Sequence, residues 1–142
     1  MDLEKLQELA DKDLKINDSE LDLESLKTPQ LHNKYMKHLT KFKLLLARAE
    51  DDLRTIKRDK WEYYTGKADP QVYKQKPFNL KILKQDLQQY IDADEDIQKA
   101  TQKVKYLETV VDFLDKTIRV ITNRTFTIKN AIDWRKFTSG AI

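Results

Sequence analysis

The 142-residue chain has no cysteine, only two glycines and three prolines, and few aromatic residues, at 9%. Without cysteine there are no disulfides, thiolate zinc sites, iron–sulfur clusters or thiol nucleophiles, a composition that suits a reducing interior. So few turn-formers argue against a sandwich or barrel, which needs a turn about every 8–12 residues. Long hydrophobic runs are missing too. The longest uninterrupted apolar stretch, Leu44 to Ala47, falls far short of the roughly 20 residues that span a bilayer. Met1 to Ile16 alternates acids, bases and leucines and has neither the basic leader nor the apolar core of a targeting signal. A chain that stays in the cytoplasm and off the membrane is expected.

Charge is abundant. Asp, Glu, Lys and Arg make up 36% of the chain against 39% hydrophobic residues, with a net charge of +3. Many charges and few breakers describe long, solvated helices, so the expected class is all-α. The charge is blocked along the chain. Residues 1–26 carry a net −6, residues 27–67 a net +6, residues 92–115 a net −4 and residues 116–142 a net +5. The basic blocks are large enough to attract a polyanion. Pairing of basic with acidic blocks, within the protein or between subunits, is the competing reading.

The apolar spacing predicts where the helices lie. Leu3, Leu6 and Leu9 mark a short helix over 2–14, followed by a turn at Asn17-Asp18-Ser19. Leu21, Leu23 and Leu26 are ambiguous between extended chain and a helical turn. Thr28 and Pro29 suit the cap and first position of a long helix. Its stripe runs through Leu31, Tyr35, Leu39, Phe42, Leu46, Ala49, Leu53 and Ile56, and Thr65-Gly66 signals its end. Residues 65–79 hold one of the glycines and two of the prolines and read as a flexible loop. Asn79 is placed to cap the next helix, with Leu80, Leu83, Leu87 and Tyr90 apolar. Asp92, Asp94, Glu95 and Asp96 suit a further helix start or a bend. The last helix has the most regular seam, with Val104, Leu107, Val111, Leu114, Ile118 and Ile121 in alternating steps of three and four. Val110, Phe113 and Val120 widen it beyond a two-helix contact, which suggests self-association as well as core. Thr125-Phe126-Thr127 is a possible interruption. Helix is expected over about two-thirds of the chain.

Enzyme chemistry has little support. His32 and His38 lie about 240° apart on a helix and cannot share a metal. Asp92, Asp94 and Asp96 imitate the start of a calcium loop, but Ile97 stands where its glycine belongs and Lys103 where its terminal glutamate belongs. There is no phosphate-binding glycine loop, and Ser19, Ser25 and Ser139 have no histidine placed to activate them. No catalytic residue, metal or cofactor is expected.

Residues 54–67 stand out, with five bases and three aromatic rings in fourteen positions. Single-stranded nucleic acid needs this mixture, because cations neutralise phosphates while exposed rings stack on unpaired bases. The candidate DNA-binding residues are Arg54, Lys57, Arg58, Lys60, Trp61, Tyr64 and Lys67. On a helix Arg54, Lys57, Arg58 and Trp61 share one face, whereas Lys60 continues the apolar stripe and Tyr63 and Tyr64 lie near it. The alternative makes the tyrosines core and the bases a solvated rim.

The run Arg58-Asp59-Lys60-Trp61-Glu62-Tyr63-Tyr64-Thr65-Gly66 resembles the (K/R)-x-(K/R)-x-(D/E)-Y-Y-(S/T)-G segment of the UvsY family, the recombination mediators of T-even-type phages. Val111-Asp112-Phe113, Asn123-Arg124-Thr125-Phe126-Thr127-Ile128-Lys129 and Asp133-Trp134-Arg135-Lys136-Phe137 are similar to the family's L-D-F, S-R-G-F-A-I-K and D-M-R-A-F stretches, in the same order and spacing. The resemblance implies a non-enzymatic factor in the host cytoplasm that binds single-stranded DNA and assembles as a ring-like homo-oligomer. It also implies contacts with the phage recombinase and the phage single-strand-binding protein, and help in loading the one onto DNA covered by the other. Its two important basic positions fall on Arg58 and Lys60, in the opposite order of lysine and arginine to the family example. Thr125 replaces a glycine. The implied organisation is an N-terminal DNA-binding region, 1–91, and a C-terminal oligomerisation region, 92–142, within one folding unit. The rival from another class is a self-assembling helical scaffold that never meets nucleic acid.

Overall fold

A computed structural model describes residues 1–140, and helix covers 82% of them with no strand. The elements are α1 (Leu3–Asp13), α2 (Leu21–Tyr64), α3 (Pro70–Gln75), a 3-10 turn (Lys84–Asp86), α4 (Leu87–Asp92) and α5 (Glu95–Ser139). They form two compact units, one of Met1–Phe42 with the chain from Thr109 onward, the other of Lys43–Glu108. The 91/92 division drawn from the sequence falls inside the second unit, and the last two positions of 92–142 lie outside the described residues.

In the first unit Asp2 caps α1 by accepting from the Lys5 N–H at 2.9 Å. Leu6 and Ala10 turn inward with Tyr35, Leu39 and Phe42 of α2 and Val110, Leu114, Ile121 and Ile128 of α5. Burying each large side chain contributes about 1.5–3 kcal/mol relative to exposure. The inward line on α5 runs Leu107, Val110, Leu114, Thr117, Ile121, Arg124 and Ile128. The sequence seam chose Val111 and Ile118 because Thr117 and Arg124 are polar, and both of those chosen residues are only half-buried. Thr117 tolerates burial because its hydroxyl donates to the Phe113 carbonyl at 2.8 Å within its own helix.

Arg124 tolerates it through Glu24. One guanidinium nitrogen donates to both the Glu24 carboxylate and the Glu24 backbone carbonyl at 2.7 Å, and Nε donates to the Thr28 hydroxyl at 3.2 Å. Both side chains are buried, at 3% and 5% exposed. Hydrogen bonds from Lys27 and from Arg124 hold the Glu24 carboxyl below its usual range. This contact explains a difference from the sequence expectation. Thr28 and Pro29 do not start α2, which begins at Leu21 and carries Pro29 in its interior. Proline leaves the Ser25 carbonyl without its helical N–H, and Arg124 ties down that turn from α5.

In the second unit α2 ends where expected, with Gly66 at φ 77° accommodating the left-handed turn. Residues 65–79 contain α3, capped by Asp69 through the Gln71 N–H at 2.9 Å, where a flexible loop was expected. Aromatic packing holds the segment. Tyr63 stacks on Tyr73 at 5.5 Å between centroids, and Phe78 packs against Tyr63, Tyr64 and Tyr90. The Tyr63 hydroxyl donates to the Lys76 carbonyl at 3.0 Å, and that of Tyr73 to the Tyr63 carbonyl at 2.8 Å. Asn79 caps nothing, because the chain stays non-helical until Lys84. The acidic run begins a separate helix, α5, whose first amides at Asp96 and Ile97 donate to the Asp94 carboxylate at 2.9 and 3.1 Å. Thr125-Phe126-Thr127 does not interrupt α5. Among the described residues no helix is long and apolar enough to cross a membrane.

Candidate nucleic-acid interface

Seven side chains were expected to meet DNA, and the fold divides them. All lie in the second unit, on the C-terminal part of α2 or just beyond it.

Lys60 and Tyr64 face inward. The Lys60 ammonium pairs with Asp96 at 2.8 Å and Asp94 at 3.2 Å, and its side chain is 16% exposed. Burial works against its charge, but the two carboxylates outweigh burial and raise its pKa above the usual lysine value. Tyr64 donates to Asp94 at 2.6 Å. Burial, then this bond to a carboxylate, pushes the phenol up. Asp94 therefore receives Tyr64, Lys60 and two helix amides. Burial opposes its ionisation, yet those four donors hold its carboxyl below the usual range. A residue singled out for its likeness to a calcium loop is the hub that joins the end of α2 to the start of α5. Its position before Ile97 was a legible capping signal. Its partner Lys60 was not.

Arg54, Lys57, Arg58, Trp61 and Lys67 face outward. Arg54 pairs with Asp51 at 2.7 Å and Glu50 at 3.9 Å, and Arg58 lies 3.5 Å from Asp59. Both guanidinium groups stay 70% exposed, so these pairs are weak and exchangeable. Trp61 is 40% exposed, and the Lys67 ammonium sits over its ring at 4.6 Å. The indole forms a ridge with a groove on either side. One groove, about 530 Å³, runs over Phe78 and Leu87 and carries Lys67, Lys81 and Lys84 at its edge. The other, about 830 Å³, begins at Lys57 and Arg58 and extends to Gln98, Gln102 and Lys105 of α5. The residues of α4 and α5 in this second groove were absent from the sequence expectation, since only the fold brings them beside α2.

The six seam residues proposed for oligomerisation lie mostly inside the chain. Val104, Leu107, Leu114 and Ile121 are buried, the last two completely. The apolar side chains that α5 leaves outward are Tyr106, Val120, Phe126, Trp134 and Phe137, with Trp134 and Phe137 stacked at 5.8 Å.

The fold is shared with a class of phage recombination proteins. A crystal structure of the bacteriophage T4 recombination mediator protein UvsY superposes with a TM-score of 0.86 at 26% identity, over 98% of both chains. A second crystal form of that protein gives 0.84 at 25% identity, over 94% of this chain and 98% of the other. In sequence, the recombination protein UvsY of Enterobacteria phage T4 is 26% identical over 140 residues, 99% of each chain. The family described as "Recombination, repair and ssDNA binding protein UvsY" matches residues 9–141, and the chain belongs to that family.

Proposed function

We propose that this chain is a non-enzymatic recombination mediator that binds single-stranded DNA. It acts as a homo-oligomer in the host cytoplasm and helps a phage recombinase load onto DNA covered by single-strand-binding protein. The observation that carries the reading is Trp61, a half-exposed indole flanked by Lys57, Arg58 and Lys67 and bordered by two open grooves. Cations beside a stacking ring favour unpaired bases over duplex, because in a duplex the ring faces are already stacked. The family's description as an ssDNA-binding protein supports the same reading.

Each protomer offers one modest, mainly electrostatic site, and self-association multiplies the sites through high effective concentration. The outward aromatics of α5 support self-association. A strand held at several such sites is bent away from the path that a single-strand-binding protein imposes, which frees a stretch for recombinase to nucleate. The scaffold alternative draws on the acidic partners of Arg54, Arg58 and Lys60 and predicts assembly without affinity for nucleic acid.

The test is anisotropy of a labelled oligo-dT over a salt series, beside duplex of equal length. Preference for the single strand is expected, with log affinity falling at about 0.7 per neutralised phosphate against log salt. A folded, assembled protein that binds nothing at low salt is the scaffold.

A further inference from the structure

The groove beyond Lys57 has two walls, and the second is not part of any basic or aromatic motif. Lys57 and Arg58 each lie about one helical turn before Trp61 on α2, and the three share one face. Gln98, Gln102 and Lys105 do the same on α5, at spacings of four and three, and border the same groove of about 830 Å³. That volume lies within the range of clefts that hold organic ligands, roughly 300–1,000 Å³.

The groove is polar along its length. Lys60 of α2 meets Asp94 and Asp96 at the start of α5, while the inward residues Ala49 and Val104 lie toward the opposite end of the unit. Going backward along α2 thus corresponds to going forward along α5. Lys57 and Lys105 consequently mark one end, and Trp61 and Asp92 mark the other. Asp92 is fixed there by two amides: Gln88 donates to its carboxylate at 2.7 Å and Gln98 to its backbone carbonyl at 2.9 Å. A carboxylate held in place repels phosphate and accepts from the exocyclic amines of bases. Cations at one end and an indole with a carboxylate at the other match the two sides of a nucleotide.

We propose that this groove is the track of the single strand, and that Gln98, Gln102 and Lys105 of α5 form its second wall. Phosphates lie on Lys57, Arg58 and Lys105, and bases turn toward Trp61 and Asp92. Lys60 acts differently. Its ammonium is committed to Asp94 and Asp96, so it is a positioning residue that sets α5 beside α2. The proposal rests on the single-strand-binding reading above and specifies where that binding occurs.

The experiment uses the full chain and a fluorescein-labelled dT oligomer over a salt series, with helicity checked by circular dichroism. Lys105→Gln is compared with Lys103→Gln, which removes the same charge from the same helix but on the side of a different groove. Lys105→Gln is expected to weaken binding several-fold and to flatten the log–log salt slope by about 0.7, one phosphate contact. Lys103→Gln is expected to leave the slope unchanged, and Asp92→Asn to tighten binding of dT, whose base has no exocyclic amine to donate to the carboxylate. Equal losses from the two lysine variants, or no loss from Lys105→Gln while the wild type binds, overturn the track but leave single-strand binding standing. A wild type that does not bind overturns both.

Discussion

The two compact units bury charge in different ways, and the difference separates structure from surface. In the first unit Glu24 and Arg124 are both buried, at 5% and 3% exposed, and Glu24 alone reaches outward, to Lys27 at 2.8 Å. In the second, Lys60 and Asp94 are largely buried but open onto Asp96, which is 63% exposed. The first pair joins residues 100 positions apart and secures the turn before Pro29. The second joins the end of α2 to the cap of α5, one turn from exposed cations and an indole. The more deeply buried pair fixes a core. Half-open charge fixes a frame beside a surface that is free to meet a polyanion.

The contrast breaks most sharply at Arg124. Arg124→Met leaves the buried Glu24 carboxylate with Lys27, at 2.8 Å, as its remaining cation and is expected to cost about 3 kcal/mol in urea unfolding, whereas Glu24→Met with Arg124→Met is expected to recover part of that loss. A double variant as unstable as the single one would show that the loss does not come from the stranded Glu24 charge. Next in size is Trp61→Ala, expected to lower single-strand affinity by about 1–3 kcal/mol per stacked base while leaving the unfolding midpoint in place.

Lys60→Met reverses that pattern. Asp94 keeps Tyr64 and two helix amides, so a loss of about 1–2 kcal/mol of stability is expected. Arg58→Ala, at an exposed side chain, should weaken DNA binding with little change in stability. The pair also sets a pH window. Asp94 and Glu24 have lowered native pKa values, so their stabilisation is complete above the ordinary carboxylate values of 3.8 and 4.5 and is lost as pH falls through the native ones. Lys60 is raised, so its contribution is complete below 10.5 and is lost as pH rises through its native value. Urea midpoints across pH check both limits, and the alkaline loss should shrink but persist in Lys60→Met, because the raised Tyr35 phenol also loses stabilisation as pH rises above 10.0. The smallest effect is at Gly66. No atom lies within 4 Å of an added Cβ, so Gly66→Ala is expected to cost only backbone strain at φ 77°, about 1 kcal/mol.

Local signals made much of the fold legible. Helical spacing located α1, most of α2 and α5 as far as Ile121, though not its unbroken run through Thr125-Phe126-Thr127, and Gly66 marked the end of α2. What escaped depended on contacts distant in sequence. Pro29 looks like a helix start until Arg124 arrives from α5 to hold its turn. Residues 65–79 look flexible until Tyr63, Tyr73 and Phe78 pack together. Thr117 and Arg124 look like surface on α5, which displaced the sequence seam onto Val111 and Ile118. The site was legible to the same extent. The basic and aromatic run located Trp61 and its flanking cations, but helix phase alone could not give Lys60 its acidic partners or bring Lys105 to the groove.

Each unit carries one of the two tryptophans, Trp61 in the second and Trp134 in the first, and both are exposed. The most direct test of the account is tryptophan fluorescence of Trp134→Phe and of Trp61→Phe as oligo-dT is added. The account predicts quenching when Trp61 is the remaining indole and an unchanged signal when only Trp134 remains. Quenching confined to Trp134 would place the strand on the first unit and contradict it.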